Sequence, residues 1–127
     1  MATNYIPGVC NINPVEVRQR RMSGHIGLVL TLILIILMFA LHASWYLRIV
    51  IIIPAFISAI GYLQAHNKFC VGYASSGQQH ADDGGKVVTI TDKEALALDK
   101  RKTRTMNFQA SVIAALVAAI VIVIPLP

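Results

Sequence analysis

The chain has 127 residues, enough for one domain, of which 56% are hydrophobic and 13% charged, with a mean hydropathy of +0.64. A soluble domain of this size needs about twice that charged fraction to cover its surface, which excludes an ordinary water-soluble globule. The net charge of +5 does not imply nucleic acid, because the basic residues stand at the edges of apolar blocks and are not interleaved with aromatics.

Residues 1–22 form an N-terminal segment and the interfacial start of a helix. Pro7, Cys10, Pro14, Arg18, Arg20 and Arg21 leave this stretch without an apolar core of its own, so no cleavable leader is expected. Asn13-Pro14-Val15-Glu16 offers an N-cap residue, proline at the first helical position and Glu three residues after the cap. A helix is therefore expected to start near Pro14, with its arginines at the headgroup level.

Residues 23–65 read as a transmembrane hairpin, with spans at about 24–42 and 47–65. No residue from Met22 to Leu47 carries a full charge, and Ile49 to Ala65 is a second uncharged run. Single strands cannot span hydrocarbon, because their backbone groups would be unpaired; helices satisfy theirs internally. His42-Ala43-Ser44-Trp45 is expected to be a tight turn, with Trp45 and Tyr46 at the interface and Arg48 snorkelling toward it. Pro54 sits inside the second span, where it removes the amide that would bond the Val50 carbonyl and predicts a kink. Gly61 allows close approach to Gly24 and Gly27 of the first span. Thr31, Ser58 and Ser111 can bond back to their own helices.

Residues 66–105 form the polar loop. Ala74 to Gly85 reads as mobile, and Val87 to Ile90 as either a short strand or a membrane-skimming segment. Thr91-Asp92-Lys93-Glu94 matches a capping box in which Thr91 and Glu94 satisfy each other's amides, so a helix is expected from about residue 92. It can continue into a third span at 106–127, closed by Pro125 and Pro127. The expected fold is thus an all-α membrane protein, a transmembrane hairpin plus a third transmembrane helix.

Ten of the eleven Lys and Arg residues lie in the N-terminal segment and the 66–105 loop, the exception being Arg48. The positive-inside rule then puts the N-terminus and loop in the cytoplasm and the C-terminus on the periplasmic or extracellular side. Arg18, Arg20, Arg21, Lys100, Arg101, Lys102 and Arg104 are the residues expected to meet anionic headgroups. The third span carries two small-residue rows, Ala110-Ala114-Ala118 and Ser111-Ala115-Ala119, which with Pro54 and Gly61 form candidate packing faces.

The sites for chemistry are few. Cys10 and Cys70 are candidate thiols, Cys70 near Lys68 and four residues after His66, which on a helical extension would share its face. Cys10, His66 and Cys70, with His25 as a further candidate, are the only gathering of soft ligands. No two stand at a recognised zinc spacing, so neither a metal nor any other cofactor is expected. No phosphate-loop, dinucleotide, zinc-protease or Ser-His-Asp pattern occurs. No charge lies deep in a span, which argues against an ion-coupled transporter.

The Arg-bearing lead Asn11-Ile12-Asn13, a glycine entering the first helix, Pro54 and Gly61 on the second, and the closing Phe69-Cys70-x-x-Tyr73-x-x-x-Gly77 resemble the YgaP-like transmembrane domain family of bacterial inner membranes. The likeness covers residues 11–77. Val71 stands where the family usually has proline, the family unit has no third helix, and this chain carries no sulfurtransferase domain. The resemblance implies a self-associating hairpin in a bacterial inner membrane, with a cytoplasmic cysteine that handles sulfur. Two functions follow as expectations. One is a non-enzymatic accessory subunit or homo-oligomer, with the lipid bilayer and a second copy or larger membrane complex as partners. The alternative is a thiol-dependent sulfur or redox relay through Cys70.

Overall fold

A computed structural model describes residues 5–82 and 86–125. Its elements are helix α1 (Pro14–Ala40), a 3-10 turn (Leu47–Ile51), helix α2 (Ile52–Asn67), the short helix α3 (Val71–Ser75), strands β1 (Gln78–Gln79) and β2 (Val88–Thr89), and helix α4 (Lys93–Val123). Three helices, Pro14–Ala40, Leu47–Asn67 and Lys93–Val123, are long and apolar enough to cross a membrane, with mean hydropathies of 2.3, 1.8 and 2.2 over an 18-residue stretch of each. At 1.5 Å per residue, α1 and α4 are about 40 and 46 Å long, more than a ~30 Å hydrocarbon layer needs. Large apolar side chains cover their outer faces, among them Ile36, Phe108 and Val123.

α1 begins where Asn13 caps it, the side-chain oxygen accepting the Glu16 amide at 3.0 Å with Pro14 in the first turn. It ends at Ala40, and His42 in the left-handed region (φ 52°) turns the chain back. α1 and α2 then meet almost backbone to backbone. A Cβ on Gly61 would stand 2.6 Å from the Gly24 nitrogen, and one on Gly27 would stand 2.6 Å from the Ser58 nitrogen. Ser58 does not bond back to its own helix; its hydroxyl crosses to the Gly24 carbonyl at 2.9 Å. Thr31 does bond within its helix, to Gly27.

Pro54 needs no mid-helix kink. The backbone winds as a 3-10 turn as far as Ile51 and becomes α-helical at Ile52, so Pro54 falls in the first turn of α2, where an amide has no helical partner. α2 packs against both α1 and α4. The row Ala110, Ala114 and Ala118 is buried, at 0, 0 and 4% exposure, while Ser111, Ala115 and Ala119 are exposed, with Ser111 at the edge of a groove against Ile53 and Phe56 of α2. Ile51, Ala55, Ala114 and Val121 form the core between the two helices.

The polar region departs from the all-α expectation. β1 and β2 pair antiparallel, Gln78 with Thr89 and Gln79 with Val88. Gly77 (φ 71°) and the Ile90 amide bonding its carbonyl at 2.8 Å close the register. Within the expected loop Ala74 and Ser75 end α3, Gln78–Gln79 is strand, and Val88–Thr89 is strand; residues 83–85 lie outside the described residues, as does Pro127. At α4 the cap is Asp92, whose carboxylate accepts the Glu94 amide at 3.1 Å, and not Thr91. Asp92 sits directly before the first helical residue and its charge suits the helix N-terminus. From there α4 runs unbroken into the apolar span.

Candidate functional site: the polar cap at the loop end of the bundle

Most of the buried polar chemistry lies where the N-terminal segment, the α2–α3 connection and β1 meet. Lys68, left-handed at φ 53°, ends α2, with the Phe69 amide bonded to the Gln64 carbonyl. The fully buried Asn11 then holds the turn from both sides. Its side-chain oxygen accepts the Cys70 amide at 2.6 Å, its amide nitrogen donates to the Cys70 carbonyl at 3.0 Å, and its own backbone N–H reaches the Lys68 carbonyl at 3.1 Å. The His80 amide donates to the Asn11 carbonyl at 2.7 Å, which ties in the sheet. One asparagine thereby meets the demand that buried backbone groups be paired across three segments.

Glu16 is the electrostatic centre of the cap. Its carboxylate accepts from Arg20 at 3.1 Å and from the Tyr73 hydroxyl at 3.1 Å, and it contacts His80 Nδ1 at 3.0 Å. Arg20 also donates to the Cys70 sulfur at 3.3 Å. Burial first, and then the hydrogen bond to the Glu16 carboxylate, push the Tyr73 phenol above its ordinary value.

Asp99 anchors the N-terminal segment to α4. Fully buried, it accepts the Tyr5 hydroxyl and the Gly8 amide, each at 2.7 Å. Gly8 is left-handed (φ 71°), and a Cβ there would press on the Leu98 side chain at 3.3 Å. Burial, followed by the bond to Asp99, holds the Tyr5 phenol well above the usual tyrosine range.

The structure separates the sequence's candidate ligands. The chain leaves α2 at Asn67, so His66 and Cys70 do not share a helix face. His66 is exposed, Cys70 is buried beside Arg20, and Cys10 lies on a different cavity with Lys68. Both cysteines are free, and among the described residues no group of three or more His, Cys, Asp and Glu is placed to hold a metal. The headgroup candidates also divide. Arg18, Arg21, Lys100, Arg101 and Arg104 are exposed and Lys102 half-buried, whereas Arg20 turns inward to Glu16.

Arg48 does not snorkel. It is 3% exposed and its guanidinium donates to the carbonyls of Val121 at 2.9 Å and Ile124 at 2.7 Å, capping the end of α4 while it lies 4.7 Å from the Phe39 ring centroid. Asn11, Glu16, Arg48 and Asp99 were not singled out from the sequence as site residues. For Asp99 a signal existed: it falls in the three- and four-residue rhythm of Ala95, Thr103 and Met106, all buried on one face of α4.

No family model, curated protein or solved structure matches the chain. The functional reading therefore rests on the chemistry of these residues.

Proposed function

We propose that the chain is a non-enzymatic assembly protein of a bacterial inner membrane, with its N-terminal cap and loop in the cytoplasm and α4 as the face that receives a second copy or a larger membrane partner. The observation that carries this reading is the unequal use of the two small-residue rows of α4. The row at Ala110, Ala114 and Ala118 is already buried against α2, so four-residue alanine spacing supports a close helix contact in this molecule. The row at Ser111, Ala115 and Ala119 has the same spacing and is uncovered. The likeness of residues 11–77 to the YgaP-like hairpin family supports self-association, though not the choice of α4, which lies outside it. Sidedness is supported by Arg48, whose guanidinium is occupied by helix carbonyls and leaves the turn end without an exposed Lys or Arg among the described residues.

Co-purification of two differently tagged copies from mild detergent tests the assembly. Ala115→Leu with Ala119→Leu is expected to abolish or reduce recovery of the second copy, or of a co-purifying partner, by about tenfold, with the melting temperature of the chain held within a few degrees. Unchanged recovery would count against α4 as the assembly face. A thiol relay through Cys70 is the second reading. The Arg20 contact favours it, and the 6% exposure of the sulfur's residue weighs against access by a reaction partner.

A further inference from the structure

Arg18 and Arg21 stand one turn apart on α1, on the face that also carries Pro14 and Val17, and Lys68 reaches the same space from the end of α2. Together they line a cavity of about 460 Å³, open to one side, with no acidic side chain in its wall among the described residues. Arg20, between them in sequence, is turned away to Glu16 and Cys70. Lys68 is held in place through its carbonyl, bonded by the Asn11 amide.

A second cavity of about 490 Å³ lies further along α1. Leu28, Leu32 and Ile35 form one wall, Ala55 and Ala59 of α2 the floor, and Val117 of α4 the far wall. Positions 14, 17, 18, 21, 28, 32 and 35 recur at three- and four-residue steps, so both cavities lie along one face of α1. The interval from Arg21 to Leu28 is about 10 Å of helix. His25 and Tyr62, bonded to each other at 2.6 Å, occupy that level.

We propose that the two cavities are one site for an anionic phospholipid, with its phosphate between Arg18, Arg21 and Lys68 and one acyl chain along Ala55 and Ala59. Two guanidinium forks and an ammonium suit the oxygens of a phosphodiester. The groove belongs wholly to the three candidate spans, where the available filler is a lipid chain. A soluble phosphate would use the basic cavity and leave the aligned groove without a role. The site does not depend on whether α4 pairs with a partner.

The test is a melting-temperature titration of the delipidated protein in detergent with dioleoyl phosphatidylglycerol, dioleoyl phosphatidylcholine and glycerophosphate. Phosphatidylglycerol is expected to stabilise the protein, and the other two are not. In Arg18→Gln/Arg21→Gln/Lys68→Gln the phosphatidylglycerol midpoint is expected to weaken by about tenfold or more. The control Lys100→Gln/Arg101→Gln/Arg104→Gln removes the same charge from exposed headgroup candidates of α4 outside the cavity and is expected to weaken the midpoint by no more than about twofold, the share of unlocalised headgroup attraction. Should the basal melting temperature of the first variant fall, Lys68→Gln alone carries the comparison. Equal weakening in both triple variants means diffuse charge attraction and overturns the site. Equal stabilisation by phosphatidylcholine overturns the phosphate assignment, and equal stabilisation by glycerophosphate overturns the lipid.

Discussion

Arg48→Met is expected to destabilise the protein by about 2–4 kcal/mol, the largest loss of any single exchange at the turn end of the bundle. Methionine keeps an unbranched stem but ends short of the guanidinium carbon, so the change removes the carbonyl bonds and the cation–π contact with Phe39 together. The guanidinium bonds the Val121 and Ile124 carbonyls at 2.9 and 2.7 Å and lies within 3.4 Å of the Ala43 carbonyl. Val121 is 4% exposed, so water cannot readily replace its lost donor, whereas Ile124 is 42% exposed and can be resolvated. The loss therefore comes mainly from one orphaned carbonyl and the missing charge-assisted bonds. Arg48→Lys should recover part of the stability, because an ammonium reaches one carbonyl without spanning both. Thermal unfolding in detergent ranks the three chains. Equal melting temperatures for the unaltered chain and Arg48→Met would show that the guanidinium contributes nothing to closing α4.

Gly61→Ala is expected to cost about 1–3 kcal/mol, because one methyl group must fit where backbone already lies. Its Cβ would stand 2.6 Å from the Gly24 nitrogen and 3.0 Å from the Arg20 carbonyl oxygen, neither of which can swing aside. Separating the helices would also stretch the Ser58–Gly24 hydrogen bond. Gly24→Ala should cost less, since its methyl group meets the Tyr62 ring at 2.9 Å and a ring can shift. Gly72→Ala, with only the Cys70 sulfur at 3.6 Å, should be nearly neutral. Melting temperatures in the order Gly72→Ala, Gly24→Ala, Gly61→Ala, from highest to lowest, check the packing. Gly61→Ala as stable as Gly72→Ala would mean that α1 and α2 are not in backbone contact.

The three apolar helices were legible because lipid as solvent leaves its mark in uninterrupted runs, and no tertiary contact is needed to read them. Asn13 as a cap was legible for a similar reason, being a local signal answered by an amide three residues away. Gly24, Gly27 and Gly61 were legible as a close approach because small residues at matching depth leave few other uses. The polar cap was not. Asn11 bonds Cys70, Asp99 bonds Tyr5, and Glu16 gathers Tyr73 and His80, all partners far apart in sequence. Such pairs follow from the fold and have no periodic signature. Arg48 misled for a physical reason: a lone arginine beside an interface normally reaches for headgroups, and here the open carbonyls of α4 stand within hydrogen-bond reach and occupy it. His66 and Cys70 were placed on one face by assuming helical continuity that the left-handed Lys68 breaks.

The central proposal is that the chain crosses the membrane three times, with the N-terminal cap on the cytoplasmic side and the α1–α2 turn on the outer side. It is tested most directly by labelling Ser44→Cys and Ser76→Cys chains, each in a Cys10→Ser/Cys70→Ser background, with a membrane-impermeant maleimide. Both positions are exposed, Ser44 at the turn and Ser76 just after α3. Intact cells are expected to label at position 44, and position 76 only after the membrane is opened. Labelling of position 76 from outside while position 44 stays protected, or labelling of both, would contradict it.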